Sequence, residues 1–391
     1  MKIVYVYPQF APRAGTERIL IEKMNYLSEQ AGNEVVMLTY EQGPHPVAFE
    51  LSPKVKHIDL NVRYYPLFRH SRIVRFCRWA LMKKRLQKYY NTFMDEYRPD
   101  IVVCTTYYEN IISMMVACPT PAALVLESHI DKRFILSNDP ENQQTVLRWL
   151  HNLYHMKVIQ RKARHFDVLV SLSQEDANEW SQYVKKTAVI TNIVHLNDTN
   201  RYSSQKNKKC IFVGRYVEQK GIPDLFKIWQ LVHKKHPDWQ LDLYGEGNLY
   251  EQTLAEADNL QANIHVHKSD NDIFERYLDS SLFLLTSIYE PFGLVMPEAM
   301  SCGLPVVAFN CPSGPARIIT DGTDGFLIPE RDIQLYAEKV CTLIEDEDLR
   351  KRMSKAAIQS SQRFSTKQIM AQWESLFHEL CSQRSLKQQT E

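Results

Sequence analysis

Short apolar runs alternate with helical periodicities along the whole of this chain, the pattern of strands returned by helices to one parallel sheet. Residues 3–7 form the first strand-like run. After it comes PQFAPRAGTERIL, a turn-rich loop that enters a helix near Thr16 with Ile19, Leu20, Met24 and Leu27 on one side. Residues 35–39 predict a second strand and residues 54–60 a third. Further runs stand at 101–105, 122–126 and 167–173, with a basic helical segment over 145–164 between the last two. Residues 188–192 read as the last strand of a first half, and the polar stretch LNDTNRYSSQKNKK after them as a linker.

The pattern restarts at residues 210–215, a strand ending in Gly214 and Arg215. Lys220-Gly221 then precedes a helix over 223–233, with Pro223 at an early helical position. LDLYGEGN (241–248) is a strand and a glycine turn, 264–267 another strand, and 273–278 a helix. The densest stretch is 282–307, LFLLTSIYEPFGLVMPEAMSCGLPVV: a strand, a break at Glu290-Pro291-Phe292-Gly293, a helix, and a strand again. Ile318-Ile319 and residues 325–328 are expected to close a second sheet. Helices follow, the last over 366–384 with Ile369, Trp373, Leu376, Phe377 and Leu380 at helical spacing. The expected architecture is α/β, two halves: residues 1–195, residues 196–365, and a C-terminal helix over 366–391. No internal repeat is visible in the residues themselves.

With 391 residues, two cores are expected, and 44% hydrophobic with 24% charged residues describes a globular chain. A net charge of +1 argues against nucleic acid as a partner. The eight cysteines form no CxxC and no Cys/His cluster at zinc spacing, so neither a disulfide framework nor a structural metal is indicated. Reduced cysteines point to the cytoplasm. The N-terminal apolar run is too short for a signal peptide, and no stretch reaches the roughly 20 apolar residues of a membrane span.

One local imbalance changes this picture. Residues 63–90, RYYPLFRHSRIVRFCRWALMKKRLQKYY, are rich in Arg, Lys and aromatics and contain no Asp or Glu. A basic amphipathic helix of this kind suits an anionic membrane surface, with Arg72, Arg75, Arg78, Lys83 and Lys84 as the contact residues. A solvated helix packing its apolar side on the sheet is the competing reading. The expected location is therefore peripheral, on the inner face of the membrane.

Candidate chemistry gathers at strand ends. Gly15-Thr16-Glu17 sits where a strand hands over to a helix, and a backbone free of Cβ there lets an anion approach exposed amides, although an ordinary helix-start turn reads equally well. His129 follows another strand end, a place for a functional or a merely structural histidine. In the second half, Arg215, Lys220, Glu290 and Glu298 at the strand ends of one sheet would converge beside the helix that begins at Leu294. The amides of Gly293, Leu294 and Val295 with two cations make an anion site suited to a diphosphate. Glu290 and Glu298 would then accept hydrogen bonds from hydroxyls of a ribose and a sugar. Together these residues favour a nucleotide-sugar site. Asp270-Asn271-Asp272 has the form of a DxD metal motif, but its place before a helix predicts a cap.

The pattern from Glu290 to Glu298, EPFGLVMPE, resembles the E-x7-E signature of the retaining GT-B glycosyltransferases of family 4. Gly214-Arg215 with Lys220-Gly221 is similar to that family's donor-phosphate element, Tyr244-Gly245-Glu246-Gly247 to its G-x-G turn, and Ala14-Gly15-Thr16-Glu17 to its N-terminal glycine loop. Cys311 to Pro315 stands where the family has a glycine-rich turn. The resemblance spans residues 3 to about 330. It implies two Rossmann-like domains with a donor cleft between them and a C-terminal helix crossing back to the first. It implies that Arg215 and Lys220 neutralise the diphosphate leaving group, and that Glu298 binds the ribose. Glu290 and His129 would lie near the sugar, with Gly15, Gly214 and the amides of Gly293 to Val295 near the phosphates. The implied reaction transfers a hexose or N-acetylhexosamine with retention, needing no cofactor and no metal, from a nucleotide sugar (uridine by family frequency) to a glycan or lipid-linked acceptor. Two departures stand out: Ala14 replaces the loop's first glycine, and Arg317 follows the 311–315 turn where relatives often have Glu. A nucleotide-sugar epimerase or hydrolase, a phosphorylase on the same architecture, and a non-catalytic sugar-binding protein remain as alternatives.

Overall fold

Parallel neighbours cannot be joined by a hairpin, so each apolar run must be returned by a crossover that covers the sheet, and the runs become buried on both faces. The computed structural model describes residues 1–64, 72–129, 146–329 and 331–390. In it β1 (Lys2–Val6), β2 (Glu34–Thr39), β3 (Lys56–Asp59), β4 (Ile101–Thr105), β5 (Ala123–Ser128), β6 (Val168–Ser171) and β7 (Thr187–Val189) form one sheet. Its order is β3-β2-β1-β4-β5-β6-β7, parallel throughout, with Ile3 opposite Val35 on one side and Ile101 on the other. The second sheet is built from β8 (Lys209–Val213), β9 (Gln240–Tyr244), β10 (Ile264–His267), β11 (Leu282–Leu285), β12 (Val306–Phe309) and β13 (Gly325–Ile328). Its order is β10-β9-β8-β11-β12-β13.

Both sheets thus start in the middle, add two strands to one side, and then switch to the other. The reversals fall between β1 and β4 and between β8 and β11. At such a point the two connections leave in opposite directions, and a crevice opens beyond the strands' carboxyl ends.

The chain divides into two compact units, residues 1–193 with 370–391, and residues 194–369. Three expectations need correction. The strand expected over 188–192 ends at Val189; Ile190 still donates to the Ser171 carbonyl, but the chain then leaves the sheet. Ile318-Ile319 is not a strand: Pro315, with its φ preset for a first helical turn, opens a short helix, Pro315–Ile318, whose last carbonyl is taken by Arg363. The sheet is closed by β13 alone. Nor is the polar stretch 196–209 slack. The Ser203 amide donates to Cys302, the Gln205 side chain to the Gly303 carbonyl, and the buried Arg350 to the Gln205 carbonyl. Its Ser and Gln side chains satisfy backbone that a flexible linker would leave to water.

The basic stretch becomes the helix Arg72–Tyr97, while residues 65–71 and Thr145 lie outside the described residues. Leu86, Tyr90 and Met94, at four-residue spacing, are buried against the first sheet, and Arg78, Lys84 and Arg85 are exposed. No helix among the described residues is long and apolar enough to cross a membrane.

The last helix, Thr366–Thr390, belongs from Met370 onward to the first unit. Trp373, Phe377 and Leu380 are buried, and Arg384 donates to the Pro121 carbonyl and to Asp167 at 2.6 Å each. Burial pushes the Asp167 carboxyl up, but the Leu124 amide, Arg384 and Lys185 outweigh it and hold its pKa below the usual value. A depressed folded pKa contributes stability that is present above the unfolded value of about 3.9 and is lost as pH falls through the folded one. Asp167→Asn should therefore lower the first unit's unfolding free energy by about 2 kcal/mol at neutral pH. The deficit should vanish in the most acidic buffers, as denaturant titrations across pH would record.

Candidate active site

The crevice between β8 and β11 is assembled by backbone packing that tolerates no side chain. The Gly214 amide donates to the Tyr244 carbonyl at the end of β9, and a Cβ on Gly245 would stand 1.9 Å from the Gly214 carbonyl oxygen. The two glycine turns therefore lie directly on each other. Tyr216 is buried beneath them, its hydroxyl donating to the carbonyls of Leu243 and His267.

From here the chain makes one 3-10 turn, Glu218–Lys220, and passes through Gly221 at φ +62°. A Cβ on Gly221 would come within 2.2 Å of the Thr286 carbonyl oxygen, just past β11. Only glycine combines that left-handed backbone with that close approach. The Thr286 hydroxyl donates to the Lys220 carbonyl, the Ile288 amide to the Gln219 carbonyl, and the Gln219 side chain to the Tyr289 carbonyl. The two strand-end connections are stitched together, and the consequence is electrostatic. Lys220, 8% exposed, places Nζ 2.5 Å from Oε2 of Glu290, itself 7% exposed. Ser287 donates to the same carboxylate oxygen at 3.1 Å.

Glu290 is held from behind as well. Its amide donates to the Pro312 carbonyl, and its carbonyl accepts from the Gly314 amide at 2.6 Å. The 311–315 turn thus fixes the backbone of Glu290, a role carried by peptide groups, while the Arg317 carbonyl accepts from Arg363. Gly293 follows at φ +87° and leads into the seven-residue helix Val295–Ser301. Its first internal amide bond runs from Met296 back to Gly293. The amides of Gly293, Leu294 and Val295 have no backbone acceptor among the described residues, as the first turn of any helix requires. Glu298 is buried on this helix, with the Tyr277 hydroxyl 3.4 Å from Oε2. Burial, with the carboxylate beside it, pushes the Tyr277 phenol well up, so it stays a donor.

The predicted residues of the second unit are thus brought together in one crevice: Gly214, Lys220, Glu290, Gly293, Leu294 and Val295 directly, with Glu298 on the adjoining helix. Arg215 is at its edge, exposed, with Nη2 3.4 Å from the Gln219 side chain. Asp272 caps nothing with its side chain; it is Asp270 that accepts from the Asp272 amide and from Arg276, both within 2.9 Å.

In the first unit, Gly15 is the first residue of the helix Gly15–Glu29, with open space where a Cβ would stand. Glu17 is buried and accepts from the Tyr7 hydroxyl. His129 is buried, with Nε2 2.8 Å from Oε2 of Glu127. Of the surface set, Arg78 and Lys84 are exposed and Lys83 half-buried, while the side chains of Arg72 and Arg75 lie outside the described residues. Sequence reasoning missed Ser287 and Gln219, which carry no pattern. It also missed Lys23 and Glu127, an ion pair at 2.5 Å. Lys23 did leave a signal, a cation in the stripe Ile19, Lys23, Leu27.

With this geometry in place, three comparisons are informative. Residues 197–360 match the family model described as "Glycosyl transferases group 1". An uncharacterized glycosyltransferase of Haemophilus influenzae is 30% identical over 54% of this chain and 61% of its own. The amylovoran biosynthesis glycosyltransferase AmsD of Erwinia amylovora is 31% identical over 54% of this chain and 62% of its own. The chain therefore spans under two thirds of the length of these relatives. Among solved structures, S. aureus TarM, determined with UDP and α-GlcNAc-glycerol among its ligands, superposes with a TM-score of 0.73 at 16% identity, covering 96% of this chain and 99% of that one. The fold is GT-B: two parallel-sheet, Rossmann-like domains with flanking helices.

Removing one member of a buried pair strands the other charge. Lys220→Met should cost about 3 kcal/mol of unfolding free energy. Lys220→Met combined with Glu290→Met should recover most of that loss in denaturant titrations, a coupling that a solvent-screened pair would not show.

Proposed function

We propose that this chain is a retaining family 4 glycosyltransferase that moves a hexose or N-acetylhexosamine from a nucleotide sugar, with uridine as the base, to a glycan acceptor on a lipid carrier. What supports this reading most directly is the crevice between β8 and β11, where Gly214, Lys220-Gly221 and the Glu290 loop are packed backbone to backbone. The group 1 match over the same residues and the polysaccharide role in AmsD's name point the same way.

In this reading the reaction is driven by stabilising the leaving group. Breaking the bond between the anomeric carbon and the phosphate oxygen leaves both electrons on the diphosphate, and the charge that develops must be met by fixed positive groups. Lys220 is held in place by Glu290 before the ligand arrives; Arg215 is free to close on the diphosphate from the crevice edge. The amides of Gly293 to Val295 supply dipoles that need no reorganisation. Glu298 takes the ribose hydroxyls, and Glu290 serves both to orient Lys220 and to accept from the sugar. Gly15 and His129 act from the first unit, on the phosphate and the sugar hydroxymethyl. These groups carry the charge without a metal or cofactor. The basic helix, through Arg72, Arg75, Arg78, Lys83 and Lys84, holds the protein on the anionic inner face of a membrane where a lipid-borne acceptor is found.

A nucleotide-release assay against UDP-, GDP- and ADP-sugars, with and without a membrane lipid extract, tests the reading. One donor should be consumed, with release enhanced by the extract and reduced about 10²-fold or more in Lys220→Ala. Silence across the panel sinks it. Donor consumed without any acceptor makes the protein a hydrolase or epimerase, and strict dependence on inorganic phosphate a phosphorylase. Replacing the five basic residues by Glu should abolish co-sedimentation with phosphatidylserine vesicles; unchanged binding removes the membrane from the scheme.

A further inference from the structure

Beneath His129 lies a charge network that the transfer scheme does not use. Lys23, on the inner stripe of the helix Gly15–Glu29, is 2% exposed, and Glu127, near the end of β5, is equally buried. Lys23 Nζ lies 2.5 Å from one oxygen of Glu127, and His129 Nε2 lies 2.8 Å from the other. Trp373, from the C-terminal helix, covers the ammonium with its ring centroid 3.6 Å from Nζ, and Tyr5 stands 5.6 Å away. Both oxygens of the carboxylate are therefore occupied, each by a different partner.

The protonation follows from the partners. Burial pushes the Glu127 carboxyl up, yet Lys23 and His129 outweigh it and hold its pKa below the usual value. A carboxylate only accepts, so His129 must donate from Nε2. In the neutral ring that leaves Nδ1 as an acceptor. This atom is buried and has no hydrogen-bond partner among the described residues. Tyr107 lies against the ring face, 6.5 Å between centroids, and cannot reach Nδ1 by that contact. A small cavity of about 10 Å³, lined by Lys23, Glu127, Ser128, His129, Thr191 and Asn192 among others, lies within the first unit here.

Stability alone does not account for such a network. A buried ion pair is rarely more stabilising than apolar residues of equal volume, because desolvation offsets the attraction. An unpartnered buried acceptor is a further cost. Both are accounted for if a ligand completes the set.

We propose that Lys23 and Glu127 are positioning residues for His129: they lock its imidazole in the Nε2–H tautomer and present Nδ1 as the acceptor for a hydroxyl of the bound sugar. The role rests on the proposed function; the lock itself does not. Lys23 pairs with one oxygen of Glu127, so the carboxylate stays charged and its other oxygen holds the Nε2 proton. Trp373 lies with its ring centroid 3.6 Å from the ammonium, which makes the C-terminal helix part of the support for this histidine. The hydroxyl is the chemical class this acceptor takes, because it can donate to Nδ1 and needs no charge of its own.

The test uses the full-length 15N-labelled protein and two-bond proton–nitrogen correlation spectra, with His129 identified by difference from His129→Asn. The wild type should show the Nε2–H tautomer. The double variant Lys23→Met/Glu127→Leu keeps the site apolar and packed, so it should melt as a folded protein while His129 loses that single tautomer; Lys23→Arg should retain it. With the accepted nucleotide sugar, the double variant should lose about 10²-fold in kcat, as a displaced sugar contact would cause. Its KM should stay within about twofold, because the nucleotide contacts are untouched. A wild-type His129 protonated on Nδ1 would overturn the proposal. So would a folded double variant with the same tautomer or unaltered kcat. If the wild type turns over no nucleotide sugar at all, the proposed function fails, and the tautomer comparison still decides the lock.

Discussion

The reversal of strand order between β8 and β11 is the constraint on which the second unit depends. Parallel strands demand crossovers, and at the reversal the crossovers diverge, leaving two strand ends with uncovered peptide groups side by side. Those groups must find partners. Here they find each other: Ile288 bonds to Gln219, the Thr286 hydroxyl to Lys220, and the Gly221 backbone rests on the Thr286 carbonyl. Glycine at 221 and 245 is what lets the peptides approach closely enough. Chemistry follows from that approach, since the same stitching carries the Lys220 ammonium to the Glu290 carboxylate.

The two units handle buried charge in a similar way. Each places a carboxylate at or beyond a strand's carboxyl end, Glu127 in the first and Glu290 in the second, and each neutralises it with a lysine from a connection or helix that also starts at a strand end. Both pairs are desolvated, and neither gains much stability for that. What they provide is fixed direction. A lysine held at 2.5 Å by a carboxylate has surrendered its rotamers on folding. The Ser287 and Tyr277 hydroxyls and the 311–315 turn extend the same principle outward from the charges.

Reading the residues in order located most of this. Apolar runs marked the strands because parallel strands are buried on both faces, and glycine marked the turns at 221 and 245, where close backbone approach excludes a Cβ. The errors have physical causes too. Ile318-Ile319 is apolar and β-branched, yet Pro315 and the Arg363 hydrogen bond make it the end of a helical turn. Residues 196–209 are polar enough for a linker, but their polar groups are spent on Cys302, Gly303 and Arg350. The common strand order of the two sheets leaves no repeat in the residues, because topology repeats where residues do not.

The amino-acid sequence by itself determined where strands and helices form, which turns need glycine, and which charged residues stand at strand ends. These are local properties, set by periodicity and backbone sterics over a few residues. The tertiary structure alone decided which charges meet. Lys220 and Glu290 are 70 positions apart, and Lys23 and Glu127 are 104 apart. Their meeting is set by the order in which strands pair, a choice made by burying whole faces and not by any neighbour in the chain. Along the chain Lys23 is only a cation between Ile19 and Leu27, and only the folded sheet shows what it faces.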